Sequence, residues 1–261
     1  MDVVTRLPDI SGARPVSLAL GEVELGGYAW WGDDVAPAIL LLHGWGEDAS
    51  TMAPVALQVR SRSWHAVSIS LRGWSGSSGV DDYGLSASKD IGRVLAWIKR
   101  QPRVSSIMVL GFSMGGLMAT LAAADQPQGE LAGVTVVSAP SDLISFHRDT
   151  AFGGVRRYLD ATLQADQWHD SSPLSHAQRL PHPMLVVTGA EDSMTPPEQG
   201  KRLAEAVPTA NLLEITDGAP SLDAGLGANT DGIGAGVRPM NRADRSSSEP
   251  YISTWCCNTT G

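Results

Sequence analysis

Gly111, Ser113 and Gly115 stand in the order G-x-S-x-G within VLGFSMGG, residues 109 to 116. The serine follows the apolar run SIMVLG (106 to 111) and precedes LMATLAAA, so the spacing predicts a strand turning sharply into a helix. Such a turn forces the serine into a strained backbone and projects its hydroxyl above the sheet edge. Its glycines leave room for the turn and for the helix to pack. Ser113 is therefore a candidate nucleophile, and the N–H groups at the helix start face any negative charge that develops on a carbonyl it attacks.

Two further stretches supply the surroundings that a nucleophilic serine needs. LLLHGWGED (40 to 48) ends a strongly apolar run with His43 and Gly44, opening a loop that could turn the Trp45 amide toward Ser113. The backbone N–H groups of Trp45 and Met114 are thus the candidate oxyanion donors. His43 reads as a loop-shaping residue rather than a base, and the Trp45 side chain can be core without affecting donation by its amide. MLVVTGAEDSMTPP places Asp192 just past another apolar run, where a carboxylate can orient an imidazole and stabilise its charged form. Asp142 in SAPSD is the competing acid position and Glu191 a neighbour. The plainer role for Asp192 is capping a helix that starts near Pro196.

With HGWG, LRGWSGSSG followed by DDYG, GFSMGG and GAEDSMTP in this order, the chain resembles the α/β-hydrolase superfamily over about residues 15 to 220. Its small esterase and dienelactone-hydrolase-like members with a short lid are the nearest in pattern. The resemblance implies Ser113 as nucleophile, Asp192 as acid, and hydrolysis of carboxylic esters of small molecules through an acyl-enzyme, with no metal and no organic cofactor. A peptidase or amidase of the same superfamily, or a non-catalytic acyl-binding relative, shares these motifs. The glycine and serine of RGWSGSSG (72 to 79) stand one residue away from the superfamily's usual spacing.

One departure bears directly on chemistry. The superfamily carries its catalytic histidine just after the strand that here reads NLLEIT, but the following stretch is DGAPSLDAG, with Ser221 or Leu222 at the expected place. The six histidines are His43, His65, His147, His169, His176 and His182, and none follows Asp192. Three accounts compete. A change of reading frame near codon 221 would replace both the histidine and the final helix; a histidine of the lid (His147, His169 or His176) would substitute; or the chain binds without catalysing.

The elements that must position these residues follow from periodicity. The runs 38 to 42, 66 to 71, 106 to 111, 133 to 138, 184 to 189 and 211 to 216 are continuously apolar, as strands of a parallel sheet buried on both faces should be. VSLALGEVELGGYAWWG reads as an antiparallel hairpin ahead of them. Ile91, Val94, Leu95 and Ile98 form one helical face, a second helix carries Leu117, Met118, Leu121 and Ala122, and a third starts at Pro196 and Pro197 and turns Leu203 and Val207 inward. The expected architecture is an α/β-hydrolase fold: a mostly parallel central sheet flanked by helices, with a lid at about 143 to 182. Residues 1 to 221 form that domain. Residues 222 to 261 contain only five Leu, Ile or Val among scattered Gly, Asn and Ser, and are expected to be irregular.

Bulk properties narrow the partners. The chain has 261 residues, 43% hydrophobic and 18% charged, which is enough for one large domain with a buried core. A net charge of -9 with no Lys/Arg stripe excludes phosphate-backbone binding as an expectation. The opening MDVVTRLPDISGARP lacks a basic segment followed by an apolar core, and no run approaches the roughly 18 apolar residues of a membrane span. The adjacent Cys256 and Cys257 make no disulfide framework, so a cytoplasmic protein is expected, with its oligomeric state open.

Overall fold

A computed structural model of the chain describes residues 6 to 216 and the backbone of 237 to 240. The order is β1 (Arg14–Ala19), β2 (Glu24–Trp30), β3 (Ala36–Leu42), α1 (Ala53–Ser61), β4 (His65–Ile69), α2 (Ala87–Lys99), β5 (Val104–Phe112), α3 (Met114–Ala124), β6 (Gly133–Val137), α4 (Leu143–Asp149), α5 (Gly153–Thr162), α6 (Gln167–Asp170), β7 (Met184–Gly189), α7 (Pro197–Ala206), β8 (Ala210–Ile215) and β9 (Val237–Met240). The strands form one sheet in the order β1-β2-β4-β3-β5-β6-β7-β8-β9. Pairing is parallel from β4 through β8 and antiparallel at both margins. This is the α/β-hydrolase architecture that the motif order implied.

The continuous apolar runs are explained by two cores. Leu40 and Leu42 point to one face with Val109, Val134 and Val136, where α2, α3 and α7 deliver Ile91, Val94, Leu117, Met118 and Leu203. Ile39 and Leu41 point to the other, against Val55 and Ala56 of α1. Alternate residues of one strand are thus buried on opposite sides, so no polar alternation remains in the sequence. A third, smaller cluster of Val137, Leu185, Val187, Phe112, Leu213 and Ile215 consists of strand residues alone.

Two segments modify the frame. The stretch expected as a lid folds as α4, α5, α6 and a 3-10 segment at Pro173–Arg179, and forms a helical cap between β6 and β7. The stretch 222 to 261, expected to be irregular, contributes β9, whose Ile215↔Val237 and Leu212↔Met240 pairing extends the sheet past β8. A strand edge accepts almost any extended backbone, so pairing there needs no apolar period in the added segment. No helix among the described residues is long and apolar enough to cross a membrane.

Candidate active site

Parallel strands bring their C-terminal ends to one edge, and the loops leaving that edge gather the residues singled out above. Ser113 sits between β5 and α3 with φ 50° and ψ -117°, a left-handed conformation costly for a residue with a side chain. Its amide donates to the Val137 carbonyl at 2.8 Å, which ties the turn to the end of β6. The glycines around it are set by contact. A Cβ on Gly111 would lie 2.2 Å from the Gly115 oxygen, and one on Gly115 would lie 2.3 Å from the Leu42 oxygen. The α3 backbone therefore approaches β3 and β5 closely enough that only glycine fits.

Trp45 lies on the loop after β3 and Met114 at the start of α3. Met114 opens α3, where the first amides of a helix lack intrahelical acceptors. Trp45 follows β3 in a loop braced by His43 and Glu47: the Gly44 amide donates to Glu47 Oε2 at 2.8 Å. The buried His43 ring accepts the Leu71 amide on Nε2 at 2.9 Å, so Nδ1 carries the hydrogen donated to the Gly44 carbonyl at 2.8 Å. Burial lowers its pKa to about 4, offset in part by the Gly44 hydrogen bond. His43 is thus a neutral brace with both nitrogens engaged, as its loop position suggested.

Asp192 lies three residues past β7 and is buried. Its Oδ1 accepts the amides of Met194 at 3.0 Å and Thr195 at 2.8 Å, which closes the loop before α7. Its Oδ2 takes no hydrogen bond among the described residues. Asp142 is placed differently: its carboxylate caps α4 through the Ile144 amide, accepts from Ser145, and pairs with Arg202 at 3.0 Å. Asp192 does not cap α7, whose start at Pro196 receives no side-chain hydrogen bond; it braces its own loop through one oxygen only, whereas both oxygens of Asp142 are engaged.

The histidines do not converge on Ser113. His65 begins β4 and His182 precedes β7, both at the opposite edge of the sheet. In the cap, His147 Nε2 lies 2.9 Å from Asp160, too poorly aligned for a hydrogen bond, with its ring edge-on to Trp168. His169 contacts Asp170, and His176 is engaged by the Asp170 carbonyl and Arg179. The chain leaves β8 at Ile215, beside the Ala190 amide that donates to its carbonyl at 2.9 Å. The positions 221 and 222, where the superfamily's histidine was expected, lie outside the described residues.

Two features had no signal in the sequence. Ser138, at the end of β6, also has positive φ, 47°, and its Oγ is buried without a hydrogen-bond partner among the described residues. The rings of Trp74, Phe152 and Tyr158 surround Trp45 at centroid distances of 6.1, 5.6 and 5.4 Å. The cap supplies two of them.

A sequence profile of the prolyl oligopeptidase family matches residues 73 to 212, more than half the chain and the whole span from the RGWSG loop to β8. The chain belongs to the prolyl oligopeptidase family. Membership in this family, within the α/β-hydrolase superfamily, makes it hydrolase-like in class. Among curated proteins it is similar to the pimeloyl-[acyl-carrier protein] methyl ester esterase of Edwardsiella ictaluri (33% identical over 118 residues, 45% of this chain and 41% of that protein). The esterase of the same name from Aliivibrio salmonicida is 31% identical over 112 residues, 42% and 40% of the two chains. The matched segment thus spans about two-fifths of the length of these relatives. Among solved structures, the esterase Est1E of Butyrivibrio proteoclasticus, with ferulic acid bound, superposes with TM-score 0.65 at 17% identity, covering 77% of this chain and 88% of that one. The Pyrococcus horikoshii acylaminoacyl peptidase gives 0.65 at 19%, covering 79% and 37%. These two structures share the fold with this chain.

Proposed function

We propose that this chain carries an acyl-transfer site of a serine carboxylic-ester hydrolase in which nucleophile, oxyanion donors and acid are assembled and the general base is missing. The observation that carries the reading is the left-handed turn at Ser113, built by glycines that tolerate no Cβ. In the first step Ser113 Oγ attacks the ester carbonyl and forms a C–O bond while its proton passes to a base. The Trp45 and Met114 amides hold the carbonyl oxygen as it becomes an anion, and the alcohol leaves with a proton to give an acyl-enzyme. Water then attacks the acyl carbonyl and releases the acid and free Ser113. The free Oδ2 of Asp192, one loop away, suits the partner of an imidazole nitrogen.

None of the six histidines hydrogen-bonds Ser113 or Asp192 among the described residues, and on this reading solvent takes the proton. Losing the base of such a site costs on the order of a million-fold in turnover, while oxyanion stabilisation keeps about a thousandfold over uncatalysed reaction. A fluorophosphonate read by intact mass tests the reading. Slow labelling confined to Ser113 and absent from Ser113→Ala is expected; absence of any adduct on Ser113 would leave the non-catalytic acyl-binding alternative. A peptidase reading is favoured by the family profile. A nitrophenyl ester and the matching nitroanilide separate the two, with hydrolysis of the ester alone expected here.

A further inference from the structure

Trp45 carries one of the proposed oxyanion amides, yet among the described residues nothing polar holds its side chain: the indole Nε1 is buried with no hydrogen-bond partner among them. Its position is set by rings. Trp74 meets it edge-on at 76°, Phe152 at 86° and Tyr158 at 61°. Two of these three rings have polar ends, and both ends go to one atom. Asp81 Oδ2 accepts Trp74 Nε1–H at 3.0 Å and Tyr158 O–H at 2.6 Å.

Asp81 itself is fixed by a strained loop. Its Oδ1 accepts the Tyr83 amide at 2.9 Å, and Tyr83 is a fully buried residue with φ 45°. The loop crosses Gly73 so closely that a Cβ there would lie 2.2 Å from the Asp81 amide nitrogen. From the cap, Gln167 donates to the Asp82 carbonyl. Burial pushes the Asp81 carboxyl up, and the hydrogen bonds from Tyr158, Tyr83 and Trp74 oppose that rise. A carboxylate this well supplied with donors is a rigid post.

We infer that Asp81 is a positioning residue for the oxyanion loop: by collecting Trp74 and Tyr158 on one oxygen it clamps the Trp45 ring, and so the Trp45 amide, only when the cap is seated. The cap is seated at its other end as well, through Ala151 N–H to the Ser193 carbonyl at 2.8 Å and Thr150 Oγ1 to the Met194 carbonyl at 2.6 Å. One cap segment, 150 to 158, therefore touches the loop that would hold the oxyanion and the loop that holds Asp192. This inference rests on the reading of the Trp45 amide as an oxyanion donor.

Ser113→Cys allows a test that needs no histidine, because a thiolate attacks without one. With 4-nitrophenyl acetate the sulfur forms a C–S bond as the C–O bond breaks and 4-nitrophenolate leaves, building charge on the carbonyl oxygen. Iodoacetamide alkylates the same sulfur with no such charge, and both reactions are read by peptide mass at position 113, apart from Cys256 and Cys257. The ratio of the two rates, divided by that of free N-acetylcysteine, isolates the oxyanion donors. For Ser113→Cys alone the ratio should exceed unity by about a hundredfold. Adding Asp81→Ala removes the oxygen that collects both the Trp74 and the Tyr158 donors and should lower it about tenfold. Adding Tyr158→Phe, which keeps the ring, should lower it about threefold, with alkylation unchanged in both. A raised ratio that neither variant alters overturns the role of Asp81. A ratio near unity in Ser113→Cys itself overturns the oxyanion reading and this inference with it.

Discussion

The corner between β5 and α3 and the edge where β7 and β8 end, which the proposed site would draw on together, are built differently. At the first, Ser113 is held by close packing and buried hydrogen bonds: glycines at 111 and 115 against neighbouring strands, an amide bonded to β6, and a buried His43 bracing the adjacent loop. At the second, Asp192 spends one oxygen on its own loop, and its other oxygen takes no hydrogen bond among the described residues. Geometry made by packing is part of the fold's stability and survives as long as the fold does. Chemistry that depends on a single side chain on an exit loop can vanish without disturbing the sheet.

The contrast can be broken most severely at Gly115. A Cβ there meets two backbone oxygens, of Leu42 at 2.3 Å and His43 at 2.6 Å, which cannot move without parting β3 from α3. Gly115→Ala should cost about 3 kcal/mol or more, read as a lowered urea midpoint or loss of soluble protein. If it folds with an unchanged midpoint, the corner is not held by packing.

His43 provides a smaller effect with a defined sign. Its folded pKa lies near 4 against an ordinary 6.5, so below pH 6.5 the unfolded chain takes up a proton that the folded chain refuses. Stability from this group is complete above pH 6.5 and is lost as pH falls toward 4. Between pH 7 and pH 5 the loss should be about 2 kcal/mol by urea unfolding. Replacing His43 by Gln should flatten that part of the profile while lowering stability throughout.

At the other edge, Asp192→Ala removes the acceptor of two loop amides and should cost about 1 kcal/mol. Because no base relies on it, the rate at which a fluorophosphonate labels Ser113 should scarcely change. A drop of a hundredfold or more would show that Asp192 is already orienting a base, and would erase the asymmetry.

The same asymmetry governs what could be read in the sequence. The six central strands, α2 with Ile91 and Ile98, α3 after Ser113, and α7 from Pro197 were legible because burial on both sheet faces and helical periodicity leave marks within a few residues. Ser113 was legible for the same reason, since its turn needs glycines at fixed offsets. The Asp81 clamp was not: Tyr158 stands 77 residues away, and no local spacing announces that their side chains meet. Ser138 was missed because nothing beside it advertises a left-handed serine. Strand β9 escaped notice because an edge strand borrows its order from the strand it joins.

A site complete except for its base should accept that base from solution. Adduct formation on Ser113 by a fluorophosphonate should accelerate with added imidazole, saturate, and follow the neutral imidazole fraction as pH is varied, with no adduct in Ser113→Ala. Rapid labelling that imidazole does not change would mean that a base is already present, and no adduct on Ser113 at any imidazole concentration would contradict the account outright.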